Sequence, residues 1–263
     1  MSGSGRWTDL APRIGSAVVM VAVGVLALWA GSGVFHVFVA LLCGAMTWEL
    51  LRMLNGQSGV MPLILGGVAA VALLAAIHLP AIYTLPVFAA PVALAVLAAR
   101  QYRPVCAAFM ALILLAGFEM TLLRDGPGLV WIIWLILIVV VSDVAGYFAG
   151  RLLGGPKFWP RVSPKKTWSG TVAGWLGAAV VGAVFATQLE SSLLLVPYSM
   201  LVAFAAQMGD IAESAVKRLV GVKDSSNLIP GHGGFLDRFD GMLGASFFVL
   251  AVTGLFGLPA GAV

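Results

Sequence analysis

Apolar residues run in long blocks along most of this chain, broken by short polar stretches, and none of the blocks alternates with the two-residue period of a half-buried strand. Nine blocks can be drawn, at roughly residues 14–31, 34–53, 59–78, 81–99, 104–123, 129–149, 170–188, 192–209 and 239–257. Each approaches the ~20 residues that one helical crossing of a bilayer needs, and each is too long for a barrel strand. Helices satisfy their own backbone in lipid, so the pattern predicts an all-α, polytopic membrane protein of about nine spans. Composition agrees: 61% of the 263 residues are hydrophobic, 10% are charged, and the mean hydropathy is +1.04. These values exclude an ordinary water-soluble domain.

The polar breaks fix an expected orientation. Lys and Arg collect in cytoplasmic loops, and with the N-terminus inside, the inner segments carry Arg6, Arg13, Arg52, Arg100, Arg103, Arg151, Lys157, Arg161, Lys165, Lys166, Lys217, Arg218, Lys223 and Arg238. Arg124, beside Asp125, falls outside. A miscount of one helix would scatter these cations over both faces, so the charges support nine spans with the N-terminus in and the C-terminus out. The first block follows Arg6 and Arg13 as a signal peptide would, yet it is long enough to span and lacks a clear small-x-small cleavage site, which reads as a retained helix. Cys43 and Cys106 lie inside spans and read as small packing residues.

Function divides at about residue 128. Residues 1–128 read as transmembrane scaffold, shaping a lipid groove or a dimer, with Pro80, Pro86 and Pro91 marking kinks around the fourth span. Glu49 and Arg52 are spaced to pair on one helix face. Glu119 is expected to reach water or Arg124, and His36 and His78 read as lone residues near the outer boundary.

Residues 129–263 read as the catalytic region, because three polar clusters fall there on one membrane face. In Ser142–Arg151, helical spacing puts Asp143, Tyr147 and Gly150 or Arg151 on one face. A carboxylate that deep in a span needs a partner, a cation or a water-filled cavity, and a salt bridge from Asp143 to Arg151 or to another helix would also serve. In Arg161–Thr171, Lys165 and Lys166 with Ser163, Thr167 and Ser169 precede a helix N-terminus and read as a phosphate clamp, though a basic topology anchor has the same composition. The spacing is not that of a Walker A loop.

The third cluster runs from Gln207 to Asp240. Asp210, Glu213 or Ser214, and Lys217 share a helix face beside Arg218; Lys223 and Asp224 lead into Pro230–Gly234, and Asp237, Arg238 and Asp240 open the last span. The glycines there allow unusual backbone angles and close approach to a ligand. Hard carboxylate oxygens among Lys and Arg suit a divalent cation bound to polyphosphate. No Ser-His-Asp arrangement appears.

These residues resemble the bacterial phosphatidate cytidylyltransferases, also called CDP-diacylglycerol synthases. The resemblance rests on Gly209–Gly241, where Ser214, Lys217, Arg218, Lys223, Asp224, His232, Gly233, Gly234, Asp237, Arg238 and Asp240 fall in the family's register, and on the SDVAGYFAGR and SPKKTWSG motifs upstream in the expected order. Ser169 departs from it, since many members carry Glu or Gln there. The resemblance implies transfer of CMP from CTP to phosphatidate, giving CDP-diacylglycerol and pyrophosphate, at the cytoplasmic face of the inner (plasma) membrane. It implies Mg2+ on Asp210 and Asp237, with Asp143 and Glu213 as further ligands or their supports, and leaves room for a second cation. Lys165 and Lys166, with Ser163, Thr167, Tyr147, Arg151, Ser214, Gly233 and Gly234, would hold substrate; Lys217, Arg218, Lys223 and Arg238 would neutralise phosphate charge. His232 would either donate to phosphate or order the glycine turn. Membrane lipids and a second copy of the chain are the expected partners, and no nucleic acid is. A CTP-dependent polyprenol kinase, a transporter of an anionic solute and a noncatalytic assembly protein are the rival readings.

Overall fold

The computed structural model describes residues 10–56 and 59–257, and Arg6 lies outside them. Among the described residues nine α-helices follow the nine apolar blocks: α1 Leu10–Trp29, α2 Ser32–Asn55, α3 Val60–His78, α4 Thr84–Ala98, α5 Arg103–Asp125, α6 Leu129–Leu152, α7 Trp168–Gln188, α8 Leu195–Val220 and α9 Leu236–Phe256. Among these residues eight apolar segments are long enough to cross a bilayer, the third of them taking in the 3-10 turn Ala81–Tyr83 ahead of α4. In α1 the described apolar stretch is Arg13–Trp29. The protein is an all-α, multi-pass membrane protein, and its surface shows why. Val18, Val21, Val25 and Leu26 of α1 are more than half exposed, an arrangement suited to lipid rather than water.

Two details depart from the block pattern. The polar stretch before α7 is an antiparallel hairpin, β1 Lys157–Trp159 paired with β2 Ser163–Thr167, where the sequence suggested only a loop. Lys165 and Lys166 therefore stand on a strand. Helix α8 also continues through the charged stretch to Val220, as the spacing of Asp210, Glu213 and Lys217 anticipated.

The chain packs as two compact units, Met1–Leu114 with Leu219–Phe239, and Leu115–Arg218 with Asp240–Val263. In the first unit α2 packs on α3, and α3 on α4. The α2/α3 crossing is close: a Cβ on Gly44 would lie 2.8 Å from the Gly66 carbonyl, and one on Gly66 would meet Gly44. His36 and His78, which the sequence presents as isolated, meet edge to face at 6.1 Å in this unit. Cys43 and Cys106 are buried and free, as expected of packing residues.

In the second unit α6 packs along α7. The small residues of α7 make this possible, since a Cβ on Gly170 would lie 2.6 Å from the Gly146 carbonyl and one on Gly177 3.0 Å from Val141. Gly182 likewise admits Ser199 of α8. The stripe is occupied by contacts within the chain. Trp134, fully buried, stacks on Tyr198 at 5.7 Å and donates to Ser199 Oγ at 3.1 Å. Glu119 is 2% exposed, so it does not reach water as its position near a span end suggested.

Candidate active site

The second unit contains a cavity of about 460 Å3 lined from four elements. Helix α6 contributes Asp143, Tyr147 and Arg151, β2 contributes Lys165, Lys166 and Thr167, the start of α7 adds Gly170 and Thr171, and α8 supplies Gln207 and Asp210. The first two polar clusters and the beginning of the third thus share one wall-to-wall space. Each element presents these groups for a local reason. Thr167 caps α7, its Oγ1 accepting from Gly170 N at 3.2 Å, and this turns the strand into the helix. Gly150 lies where a Cβ would come within 2.8 Å of Thr167 Oγ1, so its absence lets α6 approach that cap. Ser169 donates to the Gly154 carbonyl and lies 3.0 Å from Thr167 Oγ1, which makes it part of the turn rather than of the cavity wall.

Charge inside the cavity is paired loosely. Lys166 Nζ lies 2.6 Å from Asp210 Oδ2, both side chains being partly exposed, and Ser214 Oγ donates to Asp210 Oδ1 at 3.3 Å. Arg151 donates to the Tyr147 hydroxyl at 2.8 Å, so the α6 face holds together as a unit. One turn beyond Asp210, Glu213 is 1% exposed and its Oε2 takes Lys217 at 2.6 Å. The Asp240 carboxylate, the fifth residue of α9, feels the charges of Asp210, Lys217 and Asp143. Arg218 is exposed, and Ser163 sits at the hairpin edge opposite Trp159.

The rest of the third cluster belongs to the first unit, where it forms a tightly bonded loop. Asp237 Oδ2 accepts from Ser225 N at 2.8 Å, Ser225 Oγ at 2.7 Å and Gly234 N at 2.8 Å. Gly231 and Gly233 have φ of +76° and +85°, the left-handed region the motif's glycines were expected to reach. Gly234 is required for another reason: a Cβ there would strike Ser225 Oγ and the Glu49 carboxylate. His232 Nδ1 lies 2.8 Å from Ser16 Oγ, which is also 3.0 Å from the Pro230 carbonyl, so the ring ties the glycine turn to α1. Lys223, Asp224 and Arg238 are exposed.

Glu49 is the residue that sequence reasoning misplaced. It does not serve as a local partner of Arg52, whose guanidinium stacks 4.6 Å over the Trp48 ring. Its fully buried carboxylate accepts from Ser226 Oγ at 2.6 Å, Phe235 N at 2.9 Å and Leu236 N at 2.7 Å, with Ser225 Oγ at 3.4 Å. An acid inside an apolar block was the available signal, but Arg52 three residues on gave it an adequate local explanation. A second cavity, of about 640 Å3, opens beside this loop between Trp48, Arg52, Asp224 and Asn227.

No group of three or more His, Cys, Asp or Glu side chains that could hold a metal exists among the described residues. That arrangement still suits Mg2+, which binds through one or two carboxylates together with substrate phosphates and waters rather than in an all-protein cage. Asp143 and Asp210 offer hard oxygens to one cavity, and the Lys166 ammonium on Asp210 marks a position where positive charge is held. Acids and bases facing one polar space, beside a helix N-terminus, can bind a polyphosphate and its cation.

The comparisons with known proteins point the same way. A protein named phosphatidate cytidylyltransferase from Brucella suis biovar 1 is 44% identical over 156 residues, 55% of this chain and 56% of that protein. One of the same name from Helicobacter pylori is 46% identical over 118 residues, 44% of each chain, and one from Bacillus subtilis is 39% identical over 139 residues, 50% of each. The matched region spans about half the length of these curated relatives. The profile of the Cytidylyltransferase family runs further, over residues 11–256, from the first helix to the end of the last. With that profile matched over residues 11–256, the chain belongs to the Cytidylyltransferase family.

Proposed function

We propose that this protein is a phosphatidate cytidylyltransferase, transferring CMP from CTP to phosphatidate to give CDP-diacylglycerol and pyrophosphate. The observation that carries the reading is the shared cavity of Asp143, Tyr147, Arg151, Lys165, Lys166 and Asp210 in a membrane protein of this family. A phosphate oxygen of phosphatidate attacks the α-phosphorus of CTP. The new P–O bond forms as the bond to the bridging α,β-oxygen breaks, and pyrophosphate departs with that electron pair. The nucleophile is already anionic, so the barrier is mainly that of bringing two anions together; positioning and charge neutralisation lower it.

The residues divide accordingly. Lys165 and Lys166, with the α7 N-terminus and the hydroxyls of Thr167 and Ser163, hold phosphate oxygens; Tyr147 and Arg151 close the opposite wall. Lys217, Arg218, Lys223 and Arg238 neutralise the triphosphate and the leaving pyrophosphate. Asp210 and Asp237 are the proposed Mg2+ ligands, with Asp143 and Glu213 as further ligands or supports. When bound, the cation supplies Lewis-acid polarisation of the phosphate oxygens. Glu213 is already neutralised by Lys217, which favours a supporting role. For His232 the Ser16 contact favours ordering of the turn. The site is proposed to face the cytoplasm from the inner membrane, N-terminus in and C-terminus out, where water-soluble CTP and inner-leaflet lipid meet. A homodimer is proposed on family resemblance.

Purified protein in detergent with phosphatidate, Mg2+ and CTP labelled on the α- or γ-phosphate tests the reading. Label from the α-phosphate should enter lipid while γ-label leaves as pyrophosphate, and chelation of Mg2+ should stop both. γ-Label in lipid would instead mean a kinase, and no transfer to phosphatidate would overturn the proposal.

A further inference from the structure

Glu49 lies far in sequence from every motif above, yet its carboxylate is the acceptor around which the 225–236 loop closes. Three of its partners are short: Ser226 Oγ at 2.6 Å, Leu236 N at 2.7 Å and Phe235 N at 2.9 Å. Leu236 N is the first backbone amide of α9 and Phe235 N belongs to the residue just before it, and neither has a carbonyl of that helix to accept it. A carboxylate placed there acts as an N-cap supplied in trans and sits favourably at the positive end of the helix dipole. Asp237 completes the arrangement from within the helix. It bonds back to Gly234 N, three residues earlier, as the acid of a capping box does.

Glu49 is fully buried, so its cost is justified only by these donors. It also sets the space of the loop, since a side chain at Gly234 would collide with it. The first turn of α9 carries Asp237 and Arg238, residues to which the proposed reaction gives roles. We propose that Glu49 is a positioning residue for nucleotidyl transfer: its carboxylate, from the second helix, fixes the 225–236 loop and the start of the last helix in the geometry that the substrate phosphates meet. It touches no substrate itself. This rests on the cytidylyltransferase reading, but its structural half does not.

The charge and the length of the side chain both matter to this role. In Glu49→Gln one acceptor oxygen becomes an NH2 group facing N–H and O–H donors, so the cage loses an acceptor and gains a clash of donors. In Glu49→Asp the carboxylate is kept but retracted by one methylene. Ser226→Ala removes one donor to Glu49 and, with it, the acceptor of the exposed Leu228 N, while the Phe235 and Leu236 amides keep their carboxylate.

The test joins kinetics to hydrogen exchange on full-length protein in detergent. Relative to wild type, Glu49→Gln should lower kcat about 10- to 100-fold, the scale expected when a reactive geometry shifts by about 1 Å. Amides 234–236 should lose protection while those of α6 and α7 keep theirs. Ser226→Ala should show the same split more weakly, and its effect on kcat and on amides 234–236 should shrink in the Glu49→Gln background because the bond they share is already weakened there. Unchanged kcat and unchanged protection at 234–236 in both variants would overturn the proposal. Should Glu49→Gln not accumulate in folded form, Ser226→Ala decides alone by the same two readouts. Wild type inactive on CTP and phosphatidate would sink the enzymatic reading, leaving the exchange result to judge the cage.

Discussion

The carboxylates of the two units live in opposite circumstances. Asp210 in the second unit is about one-third exposed and held by one ammonium and one hydroxyl, Lys166 and Ser214. Glu49 and Asp237 in the first unit are 0% and 7% exposed and held largely by backbone amides. An ammonium contact near a protein surface is worth little and exchanges readily for another cation or a phosphate-bound metal. A buried carboxylate with three donors cannot be released without stranding each of them, at a cost of about 1–3 kcal/mol per group. The same chemical group therefore does two things here: in one unit it is a partner that substrate can displace, and in the other it shapes the chain that bears the reactive residues.

Substitutions can separate these two roles, and the largest effect should come from the acids themselves. Asp210→Asn should cut turnover about 100-fold or more, the order seen when a preorganised charge partner of the transition state is lost, without changing thermal stability measured in detergent. Asp237→Ala should cut turnover as deeply but also expose the 224–236 loop to limited proteolysis, because Ser225 and Gly234 lose their acceptor. If Asp237→Ala left the loop intact, the contrast between the units would be wrong.

Next comes Gly234→Ala. A methyl group must displace Ser225 or Glu49, so turnover should fall about tenfold or more by misplacement of the loop, with a lowered melting temperature by circular dichroism as the check. A smaller and different change is expected for Lys166→Gln, in which Asp210 loses its ammonium: KM for CTP should rise about tenfold with a lesser change in kcat, the pattern of lost ground-state binding. Lys166→Arg should retain most of the affinity in steady-state assays. Least affected should be Ser169→Ala, within about threefold of wild type in kcat/KM, since its hydroxyl bonds the turn at Gly154 and Thr167, an interaction worth about 0.5–1.5 kcal/mol.

The nine helices were legible because each is an apolar block of bilayer length, a signal that tertiary contacts scarcely alter. The cavity was legible for a related reason: Asp143, Tyr147 and Arg151 share a face by helical spacing alone, and the same holds for Asp210, Glu213 and Lys217. What stayed hidden were long-range partners. Nothing in the local pattern links Glu49 to residues 225–236, or Ser16 to His232, because such pairings depend on how helices pack and not on spacing along the chain. Gly234 was misread for the same cause. Its motif suggested backbone freedom, which Gly231 and Gly233 do use, whereas Gly234 makes room for a side chain 185 residues earlier. The 157–167 hairpin escaped notice because three- and five-residue strands are too short to show alternation.

The central contrast is tested most directly by Mn2+ binding in the presence of CTP, followed by electron paramagnetic resonance on wild type, Asp210→Asn and Glu49→Gln. Asp210→Asn should weaken nucleotide-dependent Mn2+ binding about tenfold or more, equivalent to about 1.4 kcal/mol. Glu49→Gln should change it far less while still losing turnover. Equal weakening in the two variants, or wild-type affinity in Asp210→Asn, would contradict the division of labour between the two kinds of carboxylate.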